Sequence, residues 1–234
     1  MLVLVLDSST PAVTAALAEI TADAVAPRGE RSVVDARAHG ELLAPQVSEL
    51  LAEAGARPAD LAAVVAGVGP GPFTGLRVGL VTAASMGQTL GIPTYGVPSL
   101  DAIGHAATHP RSGAAAAESG PVLVATDARR REIYWAVYDL AGQRLAGPEV
   151  DTPAAVAERA RELGVRVAVG EGARRYADIL GLPPGAGPLY PPPYALAELA
   201  AERVRAGAPG DQLTPLYLRR PDAVAAAGRK PVLQ

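Results

Sequence analysis

The hydrophobic pattern divides the chain into short apolar runs and longer segments of helical period. Residues 2–6, LVLVL, form an unbroken apolar run ending at Asp7, which reads as a buried strand. Asp7-Ser8-Ser9-Thr10-Pro11 follows as a turn and residues 13–20 as a second strand, so the chain begins as a hairpin-like pair. Residues 21–31 show no period and read as loop, before a third short strand at 32–36. From His39 to Ala54 the positions Leu43, Val47, Leu50, Leu51 and Ala54 fall on one helical face, with Pro45 in the first turns or at a kink.

A βαβ unit follows. The strand at 62–66 is broken by Gly67, Gly69, Pro70, Gly71 and Pro72, and a long apolar segment starts behind Thr74, a suitable N-cap. Gly91 supplies a left-handed helix end, Pro93 stops continuation, and residues 94–97 return parallel to the first strand. Leu76, Val78, Leu80, Val81, Ala83, Ala84, Met86 and Leu90 leave this helix almost no polar face, so burial on more than one side is expected. Gly79, Ala83 and Gly87 recur every fourth residue. A helical glycine costs about 1 kcal/mol relative to alanine, so the stripe implies a close neighbour, either within the chain or on a partner.

After residue 120 the strand pattern restarts, with 122–126 and 132–138 paired around the turn at 127–131. A strand at 165–169, a loop opened by Gly170 and Gly172, and an amphipathic helix at 195–206 complete a weaker repeat of the first half. HPRSGAAAAESG at 109–120 reads as a flexible connection, dividing the chain into lobes at 1–105 and 106–234, with the last helix a candidate to pack back on the first lobe.

Composition narrows the function. A chain of 234 residues, 49% hydrophobic and 19% charged, can form a sizeable core. One Phe, one Trp and a net charge of −3 argue against a broad stacking platform for nucleic acid, so RNA contact would need a local patch or a more basic partner. The absence of cysteine excludes disulfides, thiolate metal sites and a Cys nucleophile and fits a reducing compartment. The run at 2–6 is too short for a signal segment or membrane span, so a cytoplasmic protein is expected.

Several residues are candidates for chemistry. The Gly-Pro stretch invites a phosphate-cradle reading, but Pro70 and Pro72 remove donors and no GK[ST] follows, which favours a rigid turn. Asp7 stands where actin-like and sugar-kinase-like ATPases place a metal-orienting carboxylate, yet Ser9 takes the place of their glycine, and a capped turn is the simpler reading. His105 and His109 lie four apart, with no third ligand nearby in sequence, and read as solvent-facing at a helix end; His39 reads as a capping or surface residue. Arg129, Arg130 and Arg131 are the densest basic run, splayed by a turn; a solvated turn is the simpler reading, and contact with phosphate or nucleic acid is the alternative. Arg174, Arg175, Arg219, Arg220, Arg229 and Lys230 add scattered charge.

Together, VLVLDSST, HGELLAP, GVGPGPFTGLRVGL, DARRREIYWAVYD, VGEGA and PLYLRRPDA closely resemble the TsaB (YeaZ) family across nearly the whole chain. The resemblance implies an α/β fold of the duplicated actin-like/sugar-kinase-like type, two lobes with central mixed sheets. In the catalytic paralogue TsaD, the Kae1-type subunit, an HxxxH pair behind the βαβ unit binds the metal; the positions in register here are Ser99 and Ile103. Ile has no donor atom and a lone serine hydroxyl is a poor ligand. The resemblance therefore implies a subunit without catalytic residues, metal or cofactor. Such a subunit pairs with TsaD to support transfer of threonylcarbamoyl to the tRNA adenosine next to the anticodon. The ATPase TsaE joins that pair, tRNA is met through the complex, and a homodimer is an alternative when the chain is alone. The faces carrying Leu43, Val47, Leu50, Leu51 and Leu76, Leu80, Ala83, Gly87 are assigned to the partner seam, so that Leu80→Asp would abolish pairing without unfolding. A small-molecule kinase or metallopeptidase of the same superfamily is the alternative.

Overall fold

The apolar run at the N-terminus becomes β1 (Leu2–Asp7), the centre of a five-stranded sheet in the computed structural model, which describes residues 1–111 and 120–219. β2 (Ala12–Ile20) pairs antiparallel with β1, and β3 (Val25–Val34) pairs antiparallel with β2. On the other side β4 (Leu61–Gly67) and β5 (Thr94–Val97) run parallel, giving the order β3-β2-β1-β4-β5. A third strand expected only at 32–36 thus begins at residue 25. β3 is an edge strand with mostly half-buried or exposed side chains, held by its ladder to β2, so burial leaves little hydrophobic period to read.

α1 (His39–Glu53) and α2 (Phe73–Leu90) cover one face of this sheet. α2 starts directly behind Pro72, which is already extended with ψ 132°, so Thr74 is a helical residue and not the cap. Leu43, Val47, Leu50, Leu51, Leu76, Leu80 and Ala83 are each at most 6% exposed and pack with Leu4, Leu6, Val64 and Ala66 of the sheet. Gly87 is also buried, and a Cβ there would lie 2.5 Å from Thr94 Cγ2. The faces assigned from sequence to a partner are therefore turned into the lobe's own core, because the open sheet beneath them presents an apolar surface that must be covered. The stripe of small residues serves the same internal contact.

α3 (Ser99–Thr108) leads to the second sheet, where β6 (Val122–Asp127) pairs antiparallel with β7 (Ile133–Tyr138) and β7 with β8 (Arg144–Asp151). After α4 (Pro153–Glu162), β9 (Val167–Val169) adds in parallel to β6, and the order is β8-β7-β6-β9. α5 (Glu171–Arg175) and α6 (Ala177–Leu180) follow; the former replaces the loop expected after Gly170, whose φ of +101° turns the chain into the helix. α7 (Pro193–Arg205) crosses back, its Ala195, Leu196, Ala200 and Val204 buried against Val3, Val5 and Val65 of the first sheet.

α3 lies between the sheets. Its Ala102 and Ala106 belong to the first sheet's cluster, and Leu100, Ile103 and Ala107 to a cluster with Val122, Val124 and Tyr138. A cut after residue 105 would divide this helix. The repeated antiparallel-antiparallel-parallel strand logic is the duplicated actin-like/sugar-kinase-like fold. The flexible connection expected at 109–120 falls largely on 112–119, and Arg220, Arg229 and Lys230 on the C-terminal stretch, both outside the described residues. Among the described residues no helix is long and apolar enough to cross a membrane.

Candidate functional site where the two aspartate turns meet

Both central strands end in an aspartate, Asp7 on β1 and Asp127 on β6. Their turns face each other across a cleft of about 160 Å³ lined by Ser8, Thr10, His39 and Gly75 on one side and Asp127 and Arg129 on the other.

The Asp7 carboxylate is fully engaged. Ser9 donates its N–H and its hydroxyl to Oδ1 at 2.9 and 2.8 Å, and the Ser99 hydroxyl donates to Oδ2 at 2.6 Å while accepting the Gly69 N–H at 3.1 Å. Burial pushes the Asp7 carboxyl above its ordinary range, opposed by the bonds from Ser99 and Ser9 and by the charge of His39. The turn expected from sequence is thus an Asx-type turn, but a buried one. Its neighbours are glycines for steric reasons: a Cβ on Gly67 would fall 1.8 Å from Asp7 Oδ2, and one on Gly71 would fall 2.1 Å from the Ser9 carbonyl oxygen.

Ser8 reaches into α2. Its hydroxyl donates to the Gly75 carbonyl at 2.8 Å and accepts the Gly79 N–H at 2.9 Å, bridging an i to i+4 pair of the first turns of α2. A Cβ on Gly79 would sit 2.5 Å from that hydroxyl, which is what the glycine is for. His39 is buried, its Nε2 donating to the Thr10 carbonyl at 2.8 Å. This corrects its reading as a surface or capping residue; the fold brings β2's entry turn over α1.

The Asp127 turn differs. Arg175 Nη1 and Arg129 Nε lie 3.3 and 3.9 Å from Asp127 Oδ2, and the Asp127 N–H donates to Glu171 Oε1 at 3.0 Å. Burial pushes the Glu171 carboxyl up. Arg129, Arg130 and Arg131 have φ of 62°, 55° and 61°, one after another in the left-handed region. Nothing in the sequence flagged this, since none is Gly or Asn.

Ser99 and Ile103 occupy successive turns of α3, Ser99 committed to Asp7 and Ile103 fully buried between the sheets. His105 and His109 stack with centroids 4.8 Å apart, but His105 is half-buried, with Nε2 2.9 Å from Glu198 Oε2 on α7. Their solvent-facing reading is corrected for His105, because α7, some 90 residues away in sequence, packs against α3. Among the described residues no group of three or more His, Cys, Asp or Glu is placed to hold a metal ion.

The model of the tRNA N6-adenosine threonylcarbamoyltransferase family, TsaD, matches residues 32–203. YeaZ from Pseudomonas aeruginosa superposes with a TM-score of 0.72 at 28% identity, covering 93% of this chain and 99% of its own. The chain belongs to the TsaB (YeaZ) family. An uncharacterized protein of Mycobacterium tuberculosis is 48% identical over 221 residues, 94% of this chain and 93% of its own. The tRNA threonylcarbamoyladenosine biosynthesis protein TsaB of Escherichia coli is 33% identical over 148 residues, covering 61% of this chain and 62% of its own length.

Proposed function

We propose that the chain serves tRNA threonylcarbamoyladenosine biosynthesis as a non-catalytic subunit that pairs with a TsaD-type transferase. The observation that carries this is the state of Ser99 and Asp7. Where the TsaD paralogue carries its first metal-binding histidine, the Ser99 hydroxyl is spent on Asp7 and Gly69; where it carries the second, Ile103 is buried hydrocarbon. A kinase reading fares no better. Both Asp7 carboxylate oxygens accept from serines, Oδ1 from Ser9 and Oδ2 from Ser99, which leaves the carboxylate committed to the turn rather than to a metal-bound phosphate.

With the inner faces of α1 and α2 committed to the core, pairing falls to their outer faces. Val81 is 61% exposed, flanked by the exposed Arg77, Ala84, Ser85 and Gln88, and α1 adds exposed Ala44, Pro45 and Ser48. A TsaE-type ATPase joins the pair in this scheme, and tRNA is met by the assembled complex. Leu80→Asp is no longer a clean probe, because it buries a charge in the core. The test is Val81→Arg. The purified variant keeps its fold by circular dichroism, fails to co-elute with TsaD from the same organism, and does not restore threonylcarbamoyladenosine in tRNA of depleted cells. Co-elution and restoration at the wild-type level would remove this face from the reading; bound metal with turnover by the chain alone would remove the reading itself.

A further inference from the structure

Beside the small cleft lies a second cavity of about 500 Å³, with Phe73, Tyr134 and Tyr217 among its walls and Arg129, Arg130 and Arg219 at its edge. Three of the chain's nine Phe, Tyr and Trp residues thus converge on one place, although aromatics make up only 4% of the sequence. Phe73 and Tyr217 stack with centroids 5.3 Å apart and planes at 26°, yet they are 56% and 45% exposed. The Arg77 guanidinium lies 4.7 Å from the Phe73 centroid. A stacked pair left open to solvent offers a flat face to a planar ligand.

The cationic edge is held in a costly conformation. Left-handed φ in a non-glycine residue costs on the order of 1–2 kcal/mol, and the Arg129–Arg131 run adopts it three times in succession. The turn is pinned by the Glu132 N–H on the Arg129 carbonyl at 3.0 Å, by Arg219 Nη2 on the same carbonyl at 3.3 Å, and by the Arg219–Glu132 ion pair. Glycine would occupy that backbone without strain, so the arginine side chains are what the strain retains. Aromatic faces beside guanidinium groups take a base by stacking and a phosphate by charge, and the volume suits a single nucleotide.

We propose that this cavity binds one nucleotide unit, its ring on the Phe73–Tyr217 face and its phosphate at Arg129 and Arg130. The unit is a free nucleotide or an unpaired position of an RNA, and the site does not depend on the pairing proposed above, because it lies within the single chain.

The test is ligand-observed NMR on the full chain with AMP, adenosine, inorganic phosphate and a short single-stranded RNA. AMP is expected to bind at least about tenfold tighter than adenosine or phosphate alone. Tyr217→Leu and Arg129→Ala should each weaken AMP about tenfold, Tyr217→Phe should keep binding, and the remote Arg159→Ala on α4 should leave it unchanged. RNA binding much tighter than AMP, with a salt dependence that falls in Arg129→Ala, identifies RNA as the source; RNA no tighter than AMP identifies the free nucleotide. Absence of saturable AMP and RNA binding below about 1 mM, phosphate as tight as AMP, or binding indifferent to both Tyr217→Leu and Arg129→Ala overturns the proposal. None of these outcomes bears on whether TsaD co-elutes, so the two readings fail separately.

Discussion

Asp7 and Asp127 end the central strands of the two sheets, yet one is closed off by small neutral groups and the other is dressed in arginines. Around Asp7 three donors from two serines occupy the carboxylate, and glycines let the neighbouring backbones come close enough that a Cβ would clash. Around Asp127 the partners are long cations, and the following turn carries left-handed strain where the first turn carries none among its non-glycine residues. The same strand-turn geometry has thus been used once to close a site and once to display charge. The difference teaches that a duplicated fold does not imply duplicated chemistry.

The comparison breaks most sharply at Gly71. Gly71→Ala places a methyl against the Ser9 carbonyl, a backbone atom that cannot swing away, and should cost about 3 kcal/mol in urea unfolding. A loss within error would mean that the first turn is not closed by contact. Asp7→Ala leaves the Ser9 N–H and the Ser99 hydroxyl buried without their acceptor and should cost about 2 kcal/mol, measured the same way. On the other side of the cleft, Arg131→Gly relieves one strained residue and should gain about 1 kcal/mol. A melting temperature lowered by that substitution would show that the turn is not strained.

The smallest effect is one of pH. Burial raises the Asp7 carboxyl above 3.8 in the fold, so the native state holds this proton more tightly than the unfolded chain does. Ionised Asp7 therefore lowers stability above its folded value, and that penalty recedes as the pH falls through it. Asp7→Asn, whose amide donor would face the Ser99 hydroxyl, carries its own offset, so the readout is the trend: its stability relative to the wild type should fall on acidification. Parallel stability curves across that window would contradict the assignment.

Much of the fold was legible in the pattern. The apolar run of β1, the glycine-proline break and the glycine end of α2 specify the βαβ unit because each is a local conformational constraint, although the cap expected at Thr74 is not there. β3 was misread, since an edge strand is stabilised by its ladder more than by an alternating pattern. The inward turn of Leu76 and Leu80 was also misread. Apolarity announces that a face will be covered, but only the arrangement of sheet and helices says by what.

The sequence by itself determined the strand and helix order of the first lobe and the family resemblance, because these depend on residue identity and spacing of a few positions. Tertiary structure alone decided that Ser99 meets Asp7 across 92 residues, that α7 returns to the first sheet, and that Phe73, Tyr134 and Tyr217 gather beside three arginines. Such contacts join segments far apart in the chain. Their geometry is set by how two sheets pack around one shared helix, which no local pattern encodes.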